Sequence, residues 1–179
     1  MIFSVTERKT LNDWAITVPM KVCLGGTFSH LHKGHEALLA LAFDVGDEVF
    51  VGLASDAMAE GKCHDVPSFA ARKEKLAVAC DRLSGGKPHE ISEISDENGP
   101  ATSGDYDAIV VSEETLDGAR RINEMREVGG LKPLKILAIA LVNANDGRPI
   151  SSTRVCAGEV EPDGTLNRNS PSRTRRYRA

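Results

Sequence analysis

The sequence predicts an α/β fold, a parallel five-stranded sheet with helices on both faces. Two observations carry that reading. Five short runs rich in Val, Ile, Leu and Ala alternate with longer stretches of helical period, and glycine or proline punctuation follows most of them. At 179 residues the chain suits a single domain with a buried core. Aromatics are few, 4% of residues, so that core must rest on aliphatic side chains.

Each element can be placed in order. Met20 stands directly before a strand-like run, Lys21 to Leu24, which ends at Gly25-Gly26. After Thr27-Phe28 and a short loop comes a helix whose Ala37, Leu38, Leu41, Ala42 and Val45 share one face. Val49 to Ala54 reads as a second buried strand. Ser68 caps a helix carrying Phe69, Leu76, Cys80 and Leu83 on one side, which stops at Gly85-Gly86. His89 to Ile94 is a weaker third strand and Ala108 to Val111 a fourth. A helix with Ile122 and Met125 ends near Gly129-Gly130, Lys135 to Val142 is the fifth strand, and a last helix opens around Ser151. Residues 1–19 form an extension of unassigned role, 20–167 the domain, and 168–179 a basic tail with five arginines and no acids.

Composition excludes several function classes. A net charge of −4 argues against general nucleic-acid binding by the domain. The longest apolar stretch, Lys135 to Val142, is too short to cross a bilayer. Cys23, Cys63, Cys80 and Cys156 lie far apart without a C-x-x-C pair, which favours reduced thiols and a cytoplasmic protein over disulfides or zinc. The tail, Arg168 to Arg178, has almost nothing apolar to bury, so it is expected to be mobile. It either solubilises the terminus or folds over a neighbouring subunit or a bound anion.

Three clusters follow strand ends, where open α/β sheets bind ligands. In the first, Gly25-Gly26-Thr27-Phe28 leads into His32-Lys33-Gly34-His35. Glycines let the backbone approach a ligand closely, and two histidines three apart at a helix start can face one way. A helix N-terminus suits phosphate, and imidazoles add donors. The other readings are a metal pair, which lacks a well-placed third ligand, or two satisfied surface histidines. The second cluster is Ile150-Ser151-Ser152-Thr153-Arg154. By itself it is an N-cap; opposite the histidines it is also a phosphate cradle. The third, Val111 to Thr115 with Arg120, Arg121, Asn123 and Arg126, reads chiefly as a capped helix with a solvated charged face. Lys62 and Arg72, flanking Pro67, read as surface cations.

These residues resemble the two signatures of the H-x-G-H nucleotidyltransferase superfamily, which has a Rossmann-like fold. The branch is suggested by Val110-Val111-Ser112-Glu113-Glu114-Thr115, by Ile122-Asn123-Glu124 with Arg126, and by Gly130-Leu131-Lys132-Pro133-Leu134. These blocks, with the stretch from Val51 through Lys62 to Arg72 and the Glu97 to Pro100 loop, resemble the archaeal and eukaryotic phosphopantetheine adenylyltransferases. The family commonly has Asp after Thr-Phe, where this chain has Ser29.

The resemblance implies adenylyl transfer from ATP, accompanied by Mg2+, to 4′-phosphopantetheine. It implies that His35 and His32 hold the α-phosphate and line the triphosphate site, and that Thr27 and Lys62 orient the phosphate of pantetheine, with Arg72 a weaker candidate. Lys62 then ranks with the two histidines as catalytic. It implies that Ser151, Ser152, Thr153 and Arg154 bind nucleotide phosphates, that Phe28 presents its backbone amide there, and that Thr27 belongs to the ATP site as well. Other activities of the same scaffold stay open: adenylyl transfer to nicotinamide or flavin mononucleotide, cytidylyl transfer to glycerol phosphate, or non-catalytic nucleotide binding.

Overall fold

The computed structural model describes residues 19–62 and 64–167; the extension apart from Pro19, Cys63, and the basic tail lie outside the described residues. Five parallel strands, β1 (Lys21–Gly26), β2 (Glu48–Ala54), β3 (His89–Ile94), β4 (Ala108–Ser112) and β5 (Lys135–Ile139), stand in the order β3-β2-β1-β4-β5. The helices between them are α1 (Lys33–Val45), α2 (Asp56–Ala59), α3 (Phe69–Ser84), α4 (Leu116–Val128) and α5 (Ser152–Cys156). Single 3₁₀ turns occur at Gly99–Thr102 and Glu113–Thr115. No helix is long and apolar enough to cross a membrane among the described residues.

The pleat explains the two covered faces, because alternate residues of each strand point to opposite sides. Val22 and Leu24 of β1 and Ala108 and Val110 of β4 join the core under α1 and α3. Cys23, Ile109 and Val111 join Ala119 and Ile122 of α4 on the other side. Fully burying a residue such as Leu39, Leu53 or Leu76 contributes roughly 1.5–3 kcal/mol. A smaller third cluster, Ala144, Ile150 and Val160, holds the segment after β5 together.

The structure moves some expected boundaries. β1 continues through both glycines, because β2 offers Gly52 and Leu53 as partners. β5 stops at Ile139 rather than Val142, because its ladder with β4 ends at the Ser112 pairing. Val142 instead accepts the Ile150 amide and begins the third cluster. The buried stripe of α1 is Leu38, Leu39, Ala42 and Phe43, with Ala37, Leu41 and Val45 at its margins. Both the sheet and α3 press on this helix, so its covered face is wider and rotated from the simple periodic reading. Met125, grouped by sequence with Ile122, is 48% exposed. The short α2 was not anticipated.

One topological feature places the site. β1 is flanked by β2 on one side and β4 on the other, so the winding reverses there. Its ladder with β2 covers six residue pairs, but its ladder with β4 covers only Val22 with Ala108 and Cys23 with Ile109. Beyond those pairs the carboxyl ends of β1 and β4 are no longer joined. A crevice at such a switch point is the expected ligand position in this architecture.

Candidate active site

The loop from Gly26 to His32 crosses the carboxyl end of β1 and turns sharply. Phe28 adopts φ 47°, left-handed for a non-glycine residue, while its ring is buried against Gly26 and lies 5.1 Å from the His35 ring. A conformation of that kind costs about 1–3 kcal/mol and persists because the buried ring fixes it. Arg72 holds the loop from below. Its side chain is 1% exposed and donates to the carbonyls of Thr27 (2.9 Å), Ala54 (2.8 Å) and Pro67 (2.9 Å) and to Asp56 Oδ1 (2.7 Å). The sequence offered Arg72 as a surface cation or a substrate contact; the fold buries it behind the loop because four protein acceptors converge there.

His32 caps α1, its Nδ1 accepting the Gly34 amide at 3.1 Å. An Nδ1 that accepts carries no proton, so the neutral ring bears its hydrogen on Nε2 and keeps one donor for another partner. His35 stacks on this ring with centroids 3.9 Å apart and 31° between planes. Its Nδ1 is buried without a hydrogen-bond partner, an unmet polar group of the kind a ligand can satisfy. Burial pushes His32 down to about 4. Burial and the adjacent His32 push His35 down to about 3. A hydrogen bond to the His30 backbone works the other way on His35 but does not outweigh them, so at neutral pH both rings are uncharged.

The glycine between these histidines has a visible reason. A Cβ on Gly34 would lie 2.9 Å from His32 Cε1 and 3.0 Å from Nδ1. Alanine is the better helix former by about 1 kcal/mol, so Gly34→Ala should fold normally yet push the His32 ring aside. The expected result is a kcat about tenfold lower or worse with an unchanged melting temperature, because small misplacements cost rate steeply. Unchanged turnover would show that the ring position does not matter.

The histidines also tie stability to acidity. Both are held below their usual 6.5, so the unfolded chain takes up protons that the folded chain refuses as pH falls below that value. Stability is full above pH 6.5 and declines on acidification. The linkage is worth about 2 kcal/mol per ring by pH 5. Urea midpoints at pH 7.5 and 5 should reveal the decline, and the double variant His32→Asn, His35→Asn should lose much of it. Equal slopes in the two proteins would contradict this account.

The α5 turn supplies the opposite wall. Ser151 caps it by accepting the Arg154 amide, and Ser152 Oγ donates to the His30 carbonyl at 3.2 Å, joining the turn to the β1–α1 loop. Thr153 Oγ1 lies 3.2 Å from His64 Nδ1. Arg154 is committed to protein partners: Asp146 at 2.6 Å, Glu159 at 3.2 Å, and the carbonyls of Arg148 and Pro149. Burial alone would raise the Asp146 carboxyl, but bonds from Arg148 and Arg154 outweigh it and hold it at about 2. The guanidinium expected on phosphate thus braces the turn. Lys62 lies exposed on the loop after α2. Between the walls, the α1 terminus is less open than sequence implied. The Lys33 amide donates to the Pro162 carbonyl and the Gly34 amide to His32.

The third sequence cluster is structural where it can be followed. Asn123 bonds both backbone groups of Leu134, and Arg126, 3% exposed, donates to the carbonyls of Ala101, Gly104 and Lys132. Ser112 and Thr115 form a reciprocal capping box, and Arg120 pairs with Asp117.

With this geometry in place, likeness to known proteins becomes informative. A family model described as Cytidylyltransferase-like matches residues 23–158. A phosphopantetheine adenylyltransferase of Methanosarcina acetivorans is 42% identical over 153 residues, covering 84% of this chain and 97% of its own. The chain belongs to the phosphopantetheine adenylyltransferase family. Another adenylyltransferase of that name, from Thermococcus gammatolerans, is 43% identical over 147 residues, 80% of this chain and 92% of its own. A solved Archaeoglobus fulgidus protein of unknown function superposes with a TM-score of 0.62 at 37% identity, covering 67% of this chain and 89% of that one. Within this phosphopantetheine adenylyltransferase scaffold, sequence reasoning missed His64, which touches both walls of the crevice. A lone loop histidine carries no spacing signal that could have marked it.

Proposed function

We propose that this chain transfers the adenylyl group of ATP to 4′-phosphopantetheine, giving dephospho-coenzyme A and pyrophosphate. The observation that carries the reading is the stacked His32–His35 pair, uncharged and with an unmet nitrogen, at the reversal point of a chain so similar to adenylyltransferases of that name. A phosphate oxygen of phosphopantetheine attacks the α-phosphorus of ATP. The bond from that phosphorus to its bridging oxygen breaks, and the electron pair leaves on pyrophosphate. The attacking group is already an anion, so no general base is needed.

What remains is positioning and charge stabilisation. His35 and the Nε2–H of His32 donate to the α-phosphoryl oxygens, and the Phe28 amide assists. Ser151, Ser152 and Thr153 line the nucleotide phosphates, while Arg154 keeps their turn rigid. Thr27 and Lys62 orient the incoming phosphate, and Arg72 fixes Thr27 through its carbonyl.

Magnesium enters as part of the Mg–ATP substrate. Among the described residues no group of three or more His, Cys, Asp or Glu side chains could hold a resident ion. A cytoplasmic location is part of this reading and fits the free thiols of Cys23, Cys80 and Cys156. The test is incubation with Mg–ATP and each candidate acceptor, following pyrophosphate release and product mass. Dephospho-coenzyme A is the expected product; faster turnover of nicotinamide or flavin mononucleotide would refute the substrate while keeping the reaction type. Chelating the metal should stop turnover without lowering the melting temperature of the free protein.

A further inference from the structure

Beside the start of β1 lies a groove that the chemistry above does not use. Its volume is about 380 Å³, and Phe50 and Tyr106, both half-buried, form its floor with ring centroids 5.6 Å apart. Lys21, Glu48, Glu90 and Asp105 stand around it. Cys23, Phe50 and Glu90 are register partners across β1, β2 and β3, and Cys23 belongs to the core under α4, so the groove opens on the α4 side of the sheet. Among the described residues α4 packs mainly on β4, β5 and the turn at Gly99–Thr102. Phe50 and Tyr106 are left at the margin of that core.

The groove is unsuited to either substrate. Glu48, Glu90 and Asp105 outweigh Lys21, which already pairs with Asp105 at 3.1 Å, so a phosphate would meet net negative charge. Its aromatic floor suits an apolar ring instead. The chain carries one directly upstream. Lys21 both lines the groove and opens β1, so the chain enters the sheet at the groove's rim, through Pro19 and Met20. In Trp14-Ala15-Ile16-Thr17-Val18 the large apolar side chains alternate with smaller ones, the period of an extended segment with one covered face. The seven steps from Trp14 to Lys21 span up to about 23 Å, whereas neighbouring strands lie about 4.8 Å apart, so the indole can reach Phe50 on β2. The family match begins at residue 23, so this segment lies outside it.

We propose that residues 14–18 dock in this groove, with the Trp14 indole against Phe50 and Tyr106, as a strap over the part of the sheet beside α4. This goes beyond the adenylyl-transfer reading and does not depend on it. The strap acts at Lys21, while the crevice opens at Gly26, at the far end of the same strand. It therefore secures the first residues of β1 and adds to stability, and turnover does not depend on it.

Trp14 is the single tryptophan of the sequence, so its emission reports on this segment alone. In the native protein that emission should lie to the blue of its position in the urea-unfolded chain and be shielded from acrylamide. Trp14→Ala, and a chain starting at Met20, should each melt about 5 °C lower or more, with kcat unchanged. Phe50→Glu should return the emission toward that of the unfolded chain while turnover persists. Because that charge could also disturb β2, a nitroxide on Glu90→Cys, at the exposed rim, provides a second measure. It should quench Trp14, whereas the same label on Glu74→Cys, on α3 across the sheet, should not; the identically treated wild type sets the baseline for native thiols. Emission in the native protein matching that of the unfolded chain overturns the proposal. So does shielded emission that neither Phe50→Glu nor the Glu90 label alters, which would place the indole elsewhere. Shielding that fades on dilution as a dimer dissociates would put another copy's segment in the groove, and overturns it too.

Discussion

His35→Ala should lower kcat by roughly a hundredfold or more, the loss associated with removing one donor to a developing charge. ATP affinity should change far less, because the ground state depends less on that donor. The structure sharpens the expectation. His35 carries a buried nitrogen with no partner, and removing the ring also removes that unmet group, so the free protein should lose little stability for a deleted aromatic. It stacks on His32 and Phe28, so a modest drop in melting temperature is still expected. Pre-steady-state pyrophosphate release, with a nucleotide-binding titration alongside, measures both quantities. A variant that turns over normally would leave His35 as packing alone.

The largest stability effect is expected at Arg72. Truncation to alanine strips donors from the carbonyls of Thr27, Ala54 and Pro67 and from Asp56, and opens a hole against Phe69, whose ring lies 5.8 Å from the guanidinium carbon. Removing one partner from a buried charged network costs about 3–5 kcal/mol. In a domain of this size that is roughly 10 °C of melting temperature. Arg72→Lys should be nearly as damaging, since one ammonium cannot reach four acceptors set around a planar fork. Activity should fall as well, because Thr27 is released. A melt within two degrees of wild type would show that the network is dispensable.

The contrast between Arg72 and Lys62 shows what the sequence could disclose. The five strand segments, the histidine pair, the helix caps at Ser68 and Ser151 and the stop at Gly85 were legible, because periodicity and local backbone chemistry fix them, whereas the strand order came only with the fold. Whether a cation meets a ligand or the protein's own carbonyls depends on tertiary placement. Arg72, Arg126 and Arg154 all turned inward to backbone oxygens, and nothing in their neighbours along the chain announced it. The glycine of the H-x-G-H signature lay between. Its position was plain, but its cause, the His32 ring pressed over its Cα, needed coordinates.

The bond from the Lys33 amide to the Pro162 carbonyl has a bearing on synthesis. Chains emerge from the ribosome N-terminus first, and segments fold as they become available. The five strands and α1 to α4 are complete by Ile139, so the sheet and both its main cores can form before the residues that follow are made. Neither the α5 turn nor the Pro162 oxygen that accepts from the first turn of α1 exists at that stage. A nascent chain can therefore have its sheet folded and still lack one wall of its crevice. Closure of the crevice is then a separate, later event than formation of the sheet, and does not grow in proportion to the folded mass.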